Sequence, residues 1–334
     1  MNAYRAEANA LDAEVLKVIN DWRVPSFNDL ALRIFAHQLR YNEPYARYSA
    51  SLGVTPASMP HSWDTIPPVP AGAFKETALC TFNSSQAAVT FQTSGTTSTT
   101  RGKHYLESIA LYDAALLKGF ETLFLRRAKT NYRFLLLMPR FSFDGRQSSL
   151  AFMMDRVADA FGDFKGGNFV EDADLLFEEF VAAAREAVAQ NVPVVLSGTA
   201  LSLFALTLFW QGCGKRTLRL PSGSKIMETG GFKGSAARVE RKDLYAGITR
   251  TFGVPESSIV AEYGMTELCS QYYDRSGDEP RVKAAPPWLR SYAVDENGAK
   301  LPAGVVGALV HVDLANRSSC VAIQTLSLIH ISEP

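Results

Sequence analysis

The sequence has little cysteine, no excess of either charge and no long uninterrupted apolar run. Its four cysteines are scattered, with no CxxC pair, which argues against a disulfide framework or a cysteine metal site and favours a reducing, cytoplasmic setting. Lysine plus arginine equals aspartate plus glutamate at 34 each. Without a basic excess, the composition gives no support to general nucleic-acid binding.

The most apolar stretch, residues 193–210, is interrupted by Gly198 and several hydroxyl residues. Because a membrane-spanning helix needs roughly 20 mainly apolar residues in succession, we expect a buried strand and a buried helix here, and no membrane span. The amino-terminal residues include early acidic side chains and lack the apolar core of a secretory signal. With 47% hydrophobic and 20% charged residues, the chain is typical of a globular protein with a large core.

Strand and helix patterns alternate along the chain. Helical spacing of apolar residues dominates the first ninety positions, of which 1–64 are predicted to form a helical amino-terminal segment. Further helices are predicted at 106–126, 148–162, 172–190, from Gly198 to about 209, and 234–253. Strands are predicted at 87–92, 133–139, 192–198, 224–231, 258–267, 307–315 and 319–325. This alternation predicts an α/β fold with helices around mixed, largely parallel sheets.

The stretch "FQTSGTTSTTRGKHY", residues 91–105, follows a predicted strand and combines hydroxyls, glycines and basic side chains. Small residues let the backbone approach a charged ligand, and backbone N–H groups with hydroxyls form an anion-binding nest. Arg101 and Lys103 add countercharge. The spacing is not that of a Walker loop, since Gly95 and Gly102 are too far apart and His104 follows Lys103. A phosphate-binding loop and a solvated Ser/Thr turn both remain open from this stretch alone.

Two more loops follow predicted strands, at the sheet edge where α/β proteins bind ligands. In "EYGMTE", Tyr263 can stack on a base, Thr266 can bond a phosphate oxygen and Glu267 can hold Mg²⁺. In "ETGGFKG", the adjacent Gly230 and Gly231 leave room for a flat ring or an acyl chain against the backbone. Taken singly, each motif is as well explained by a buried tyrosine, a surface glutamate or a turn.

In this order, "TSGTTSTTRG", the paired glycines and "YGMTE" resemble the adenylate-forming acyl-CoA and acyl-protein synthetases, whose signatures read T-S-G-T-T-G-x-P-K-G and Y-G-x-T-E. "EYGMTELCSQYYD" and "HVDLANRSSCVAIQT" are similar to the LuxE-type acyl-protein synthetases and related phenylacetate–CoA ligases. The resemblance covers about 65–325. Ser98, Thr100 and Arg101 stand where the signature has glycine, proline and lysine. Arg101 keeps the positive charge, whereas Ser98 is less permissive of positive φ.

The resemblance implies ATP- and Mg²⁺-dependent activation of a carboxylic acid, expected to be a fatty acid, as an acyl-adenylate. The acyl group would then pass to a protein cysteine on the way to an acyl-reductase or carrier partner, or to coenzyme A. By this resemblance, the β- and γ-phosphates would be bound by the loop residues Thr93, Ser94, Gly95, Thr96 and Thr97, and Arg101 would supply positive charge. Thr266 would contact the α-phosphate, Glu267 would bind Mg²⁺ and Tyr263 would stack on the adenine. Gly230 and Gly231 would flank the adenine and the acyl entrance.

Two alternatives accompany this hypothesis. One is an aryl- or acyl-CoA ligase that uses coenzyme A, and the other is an inactive adenylation-like domain that binds a nucleotide or a partner. Cys269 lies close to Glu267 in sequence and is either an acyl acceptor or a small core residue. His104 borders the phosphate loop and is expected at the surface.

We expect residues 1–325 to form one adenylation domain. The last nine residues, "LSLIHISEP" (326–334), resemble a translated sequencing adaptor and are predicted to be non-native. A native terminal strand is the alternative, since Leu326, Leu328 and Ile331 are apolar.

Overall fold

The computed structural model describes residues 3–93, 100–128, 130–143, 147–172, 174–214, 217–230, 240–275 and 281–330, with 326–330 by backbone only. The structure is mixed α/β, as the sequence predicts. Eight α-helices are found in the described ranges: α1 Ala3–Asp21, α2 Phe27–Tyr41, α3 Glu43–Ser51, α4 Ala110–Gly119, α5 Ser149–Phe161, α6 Phe177–Ala189, α7 Ala200–Gly212 and α8 Arg241–Phe252.

Fifteen strands are assigned in the same ranges. They are β1 Val69–Pro70, β2 Val89–Gln92, β3 Lys103–Leu106, β4 Arg133–Leu137, β5 Gly167–Asn168, β6 Val170–Glu171, β7 Asp174–Leu175, β8 Val194–Thr199, β9 Lys225–Thr229, β10 Ile259–Tyr263, β11 Tyr272–Asp274, β12 Lys283–Ala284, β13 Leu289–Val294, β14 Val306–Asp313 and β15 Ala322–His330.

The chain divides into two compact units. The first comprises Met1–Gly119, Gly264–Gln271 and Ala285–Pro334, and the second comprises Phe120–Tyr263 and Tyr272–Ala284. The prediction of one adenylation domain over 1–325, and that of a non-native tail, are not tested by this division and remain predictions.

The second unit contains a seven-stranded sheet in the order β12-β11-β10-β9-β8-β4-β5. The five strands from β10 to β5 are parallel, whereas β11 and β12 are antiparallel additions. The central strands are buried almost throughout, as expected for a parallel sheet covered by helices. Leu135, Leu196, Ile226 and Ile259 form its core with apolar residues of α6, α7 and α8.

The first unit carries helices α1 to α4, a four-stranded sheet in the order β1-β15-β14-β13 and the hairpin β2–β3. Helix α2 begins where the Ser26 side chain accepts a hydrogen bond from Asp29 N–H, a standard amino-terminal cap. Its buried face contains Leu30, Ile34 and Phe35, which matches the predicted helical spacing.

Several predicted element boundaries are wrong. Helix α4 begins at Ala110 rather than at Leu106, because Leu106 still pairs with Val89 in the hairpin. Helix α6 begins at Phe177 rather than at Asp172, which has a φ of 46° in the turn of the short hairpin β6–β7.

Other parts of the pattern were also misread. No α-helix is assigned between α3 and β2, so residues 52–64 lack the α-helix expected of the helical amino-terminal segment. The strands that were not predicted are β1, β3, β5, β6, β7, β11, β12 and β13. In the region predicted as helix 234–253, the described residues give α8 from Arg241, and 231–239 lie outside the description. Within the described ranges, no helix has the length and apolarity needed to cross a membrane.

Candidate active site

The hydroxyl-rich stretch begins and ends on a closed hairpin in the first unit. Strands β2 and β3 pair antiparallel from Val89–Leu106 to Gln92–Lys103. Beyond this ladder, Thr93 N–H donates to the Gly102 carbonyl at 3.0 Å, and Gly102 N–H donates to Thr93 Oγ1 at 2.9 Å. The loop therefore leaves from a base fixed by two reciprocal hydrogen bonds.

The loop residues themselves fall in two groups. Ser94, Gly95, Thr96 and Thr97 lie outside the described residues, so their predicted phosphate contacts remain predictions. Arg101 is exposed on the returning arm, where its guanidinium is accessible to an anion.

The "YGMTE" segment spans the boundary between the units: Tyr263 ends β10 in the second unit, whereas Thr266 and Glu267 belong to the first. In the first unit, hydrogen bonds hold two successive carbonyls of this turn. His104 on β3 bonds the Thr266 carbonyl through Nδ1 at 2.8 Å, and Asn316 Nδ2 donates to the Glu267 carbonyl at 2.8 Å. The bond from His104 joins the hairpin to a segment 162 residues further along the chain.

The residues after Glu267 are held by a buried carboxylate and a buried amide. Cys269 N–H donates to Asp313 Oδ2 at 3.1 Å and to Asn316 Oδ1 at 2.9 Å. Ser270 Oγ donates to Asp313 Oδ1 and accepts from Trp288 Nε1, both at 2.9 Å. The network fixes the backbone from which Thr266 and Glu267 project.

Glu267 has the electrostatic character expected of a residue that meets a cation. Its side chain is 7% exposed, and burial raises its pKa to about 7, against the opposing influence of its own backbone N–H and of Lys75. A desolvated carboxyl group favours either a proton or a nearby positive ion. Mg²⁺ is commonly held by one or two protein carboxylates together with substrate phosphates, so this side chain fits a Mg²⁺ ligand.

In the second unit, Gly230 follows β9 with a φ of 61° and is exposed. No described atom lies within 4 Å of the position that a Cβ would occupy, so the backbone conformation, and not crowding, is what favours glycine there. Gly231 lies outside the described residues. Tyr263 packs against Tyr272 with ring centroids 5.7 Å apart; its stacking on adenine remains a prediction.

Three residues near these motifs were missed or misread from the sequence. His104 is fully buried, so the expectation of a surface histidine is wrong. Asn316 and Asp313 lie in "HVDLANRSS", which was noted for its family resemblance but given no role. Neither Asp313 nor Asn316 gave a local signal, because the partners of Asp313 in the turn are 43 and 44 residues away in sequence.

Cys269 is nearly inaccessible, at 1% exposure, and burial raises the pKa of its thiol well above the ordinary value. A nucleophilic cysteine needs thiolate character and access. Of the two roles considered, the geometry favours a small core residue over an acyl acceptor.

Comparison with known proteins gives one sequence-family match. The model of the family described as "LuxE: Acyl-protein synthetase, LuxE" matches residues 153–333, more than half of the chain. No curated protein sequence matches significantly.

Solved structures with the same fold are adenylate-forming enzymes of low sequence identity. An open conformation of 2-hydroxyisobutyryl-CoA ligase, in complex with 2-HIB-AMP and CoA, matches with a TM-score of 0.66 at 12% identity, covering 92% of this chain and 70% of that one. The amide bond synthetase McbA from Marinactinospora thermotolerans matches with a TM-score of 0.51 at 17% identity, covering 75% and 47%.

A third structure, McyG A-PCP complexed with phenylalanyl-adenylate, matches with a TM-score of 0.53 at 14% identity, covering 75% of this chain and 46% of that one. The chain thus spans just under half the length of McbA and of McyG A-PCP. At these identities the likeness is one of fold.

Proposed function

The chain belongs to the LuxE family of acyl-protein synthetases, and from that premise we propose that it joins a fatty acid to AMP and passes the acyl group to a protein cysteine. The first step is an attack of the carboxylate oxygen on the α-phosphorus of ATP. The bond from that phosphorus to the bridging oxygen breaks, and pyrophosphate leaves. The second step exchanges AMP for a thiolate sulfur at the acyl carbon.

The observation that carries this proposal is the hydrogen bond between His104 and the Thr266 carbonyl. It joins the strand that follows the hydroxyl-rich loop to the turn that carries Thr266 and Glu267. A phosphate-binding loop and a phosphate-facing carboxylate have to lie near each other if they are to act on one polyphosphate.

The first step mainly requires positioning and charge neutralisation, because the attacking and leaving groups are both anionic. Thr93 and the loop after it would hold the β- and γ-phosphates, and Arg101 would supply positive charge. Thr266 would contact the α-phosphate. In the second unit, Tyr263 would stack on the adenine and Gly230 would leave space for the ring.

Glu267 would hold a magnesium ion, which supplies charge neutralisation at the phosphates when bound. Its raised pKa is consistent with this role, because a carboxyl group that is costly to ionise alone is stabilised by a cation.

The acceptor in this proposal is a thiol outside the buried core of the first unit. Cys80, Cys269 and Cys320 are all buried, and burial raises the thiol pKa of each. Cys213, in the second unit, is exposed. We therefore propose that the acyl group passes to an accessible cysteine, either on this protein outside the core of the first unit or on an acyl-reductase or carrier partner.

A second candidate is acyl transfer to coenzyme A. It is favoured by the fold similarity to 2-hydroxyisobutyryl-CoA ligase, which was solved with 2-HIB-AMP and CoA. The adenylation step is the same in both candidates, so only the acceptor distinguishes them.

Exchange of labelled pyrophosphate into ATP tests the first step. We expect exchange that depends on an added fatty acid and on Mg²⁺. An absence of exchange with straight-chain fatty acids and with aromatic acids would favour the inactive-domain alternative. Release of acyl-CoA on addition of coenzyme A would favour the ligase candidate. Radiolabelled fatty acid that stays on protein and is removed by hydroxylamine would favour a protein thioester.

A further inference from the structure

His104 is a buried polar side chain with one hydrogen-bonding atom used and one unused. It lies on β3, fully buried, with the Phe74 ring edge-on at a centroid distance of 5.9 Å. Nδ1 bonds the Thr266 carbonyl oxygen at 2.8 Å. Nε2 has no hydrogen-bond partner among the described residues.

The partner of Nδ1 settles the tautomer. A carbonyl oxygen can only accept, so Nδ1 carries the hydrogen, and the neutral ring leaves Nε2 with a lone pair. Burial lowers the pKa of His104 to about 4, which agrees with a neutral ring at ordinary pH. An apolar side chain of similar size would fill the same space without an unpaired buried acceptor, so filling space does not account for an imidazole here.

The hydrogen bond from His104 to Thr266 is one of two that hold successive carbonyl groups of the same turn. The next carbonyl, that of Glu267, is held from another direction by Asn316. Two successive peptide groups are therefore anchored, one to the hairpin and one to the segment after β14. Removal of either anchor would let the turn shift relative to the hairpin base at Thr93 and Gly102.

We propose that His104 is a positioning residue for adenylation: its Nδ1–H fixes Thr266 and Glu267 at a set distance from the phosphate hairpin. This inference rests on the proposed function. It goes beyond that function in assigning a required role to a residue outside both recognised motifs. A misplacement of about 1 Å in an active site can cost about 100-fold in rate, so the expected effect is large.

Three substitutions at this position separate positioning from packing. In His104→Asn the side-chain amide nitrogen can occupy nearly the place of Nδ1, whereas in His104→Gln it reaches nearer the place of Nε2. His104→Leu removes the donor and keeps the bulk. We expect His104→Leu and His104→Gln to lower kcat for pyrophosphate exchange about 100-fold with a change in KM for ATP below about threefold, and His104→Asn to recover to within about fivefold.

His311→Leu is the matched control. His311 is also fully buried, also lies on a strand of the first unit and also uses Nδ1, towards Ser291 Oγ at 2.9 Å. This hydrogen bond joins β14 to β13 rather than to either motif. Thermal unfolding of all four variants reports their stability. We expect His311→Leu to lose stability while keeping kcat within about threefold of the parent.

The outcomes distinguish this inference from the proposed function. If the parent protein shows no exchange, the proposed function fails and the positioning role falls with it. If the parent is active and His104→Gln equals His104→Asn, or if all His104 variants keep their kcat, the positioning role alone is overturned. Nitrogen-15 NMR of the imidazole is independent of turnover: a protonated Nδ1 and bare Nε2 are expected, and the reverse tautomer would contradict the geometry.

Discussion

Glu262 and Glu267 are two buried glutamates only five positions apart, yet they lie in different units and have different partners. Burial raises the pKa of each to about 7. Glu262, in the second unit, accepts a hydrogen bond from the Thr229 hydroxyl of the neighbouring strand and feels the charge of Lys283. Glu267, in the first unit, has its own backbone N–H and the charge of Lys75 as the influences that favour its ionised form.

Under the proposed function, this difference separates a structural carboxyl group, Glu262, from one that binds a ligand, Glu267. The hydrogen bond of Glu262 joins β9 to β10 within the sheet, so the cost of its burial is partly offset inside the fold. The hydrogen bond that favours ionised Glu267 comes from its own backbone N–H rather than from a neighbouring strand, and we expect a cation bound with substrate to stabilise the ionised form further. A raised pKa alone would have marked both residues as site candidates; their partners distinguish them.

The largest expected effect is that of Glu267→Gln on activity. We expect fatty-acid-dependent pyrophosphate exchange to fall at least about 100-fold, comparable to the loss of a key charge-stabilising group. The side-chain size is kept, and because the pKa of Glu267 is also raised to about 7, the variant should be no less stable than the parent above pH 7. Steady-state exchange at saturating Mg²⁺ is the measurement.

Glu262→Gln is the matched comparison, since the same change is made to a carboxyl group of similar burial. It should keep exchange within about tenfold of the parent. If the two variants lose activity equally, the distinction drawn between them is wrong.

The second effect concerns the pH dependence of stability. The folded-state pKa of Glu262, about 7, lies above its ordinary 4.5, so the fold favours the protonated form. This contribution is complete below pH 4.5 and is lost as pH rises to 7 and above. Glu262→Gln cannot ionise, and we expect it to be more stable than the parent at pH 8, by on the order of 2 kcal/mol, with little difference at pH 4.

Denaturant unfolding at both pH values measures this difference. The variant keeps Lys283 and Glu228 near position 262, and burial also raises the pKa of Glu228. Part of the pH dependence of the free energy of unfolding should therefore remain. Equal stability changes at the two pH values would mean that the pKa of Glu262 is the same in the folded and the unfolded protein.

The third effect extends the comparison to the hairpin of the first unit. Arg101→Ala should raise KM for ATP about tenfold, because an exposed cation contributes to phosphate binding without being buried with it. Arg47→Ala is the control, since Arg47 is an exposed arginine of the same unit on α3. Equal KM values for ATP in the two variants would show that Arg101 does not contribute to ATP binding.

The smallest effect is expected at the hairpin base. A Cβ on Gly102 would lie 3.1 Å from Thr93 Cγ2 and 3.5 Å from Phe74 Cβ, whereas one on Gly72 meets nothing within 4 Å. Gly102→Ala should therefore lower stability by about 1 kcal/mol and exchange by a few-fold, whereas Gly72→Ala should do neither. A thermal shift assay and the exchange assay compare the two variants. If Gly102→Ala changes neither the thermal midpoint nor the exchange rate, the hairpin base at Thr93 and Gly102 can adjust to accommodate the added methyl group.

The sequence was most informative where structure is set locally. Strands β4, β8, β9 and β10 were predicted because continuous apolar runs are typical of buried parallel strands. The Thr266–Glu267 turn stood out because its side-chain types suit phosphate and Mg²⁺. The burial of His104 could not be read in this way, since its partner is 162 residues distant and a single histidine has no periodicity.

The same limit explains why Asn316 and Asp313 were missed and why Glu262 received no role beside its neighbour Tyr263. Their partners come from other strands and turns, and pairing across a sheet is not encoded in local spacing. The start predicted for the next helix, at Leu106, was wrong for a related reason. Lys103–Leu106 is a strand of the hairpin, and its pairing with β2 is not visible in local spacing, whereas the helix itself is present from Ala110.

We propose that this protein forms an acyl-adenylate with a site that includes Glu267. Labelled acyl-AMP can be detected after incubation with a fatty acid, Mg²⁺ and ATP radiolabelled at the α-phosphate. We expect labelled acyl-AMP with the parent and with Glu262→Gln, and none above background with Glu267→Gln. Labelled acyl-AMP in equal amounts with Glu267→Gln, or none with the parent for any acid tested, would contradict it.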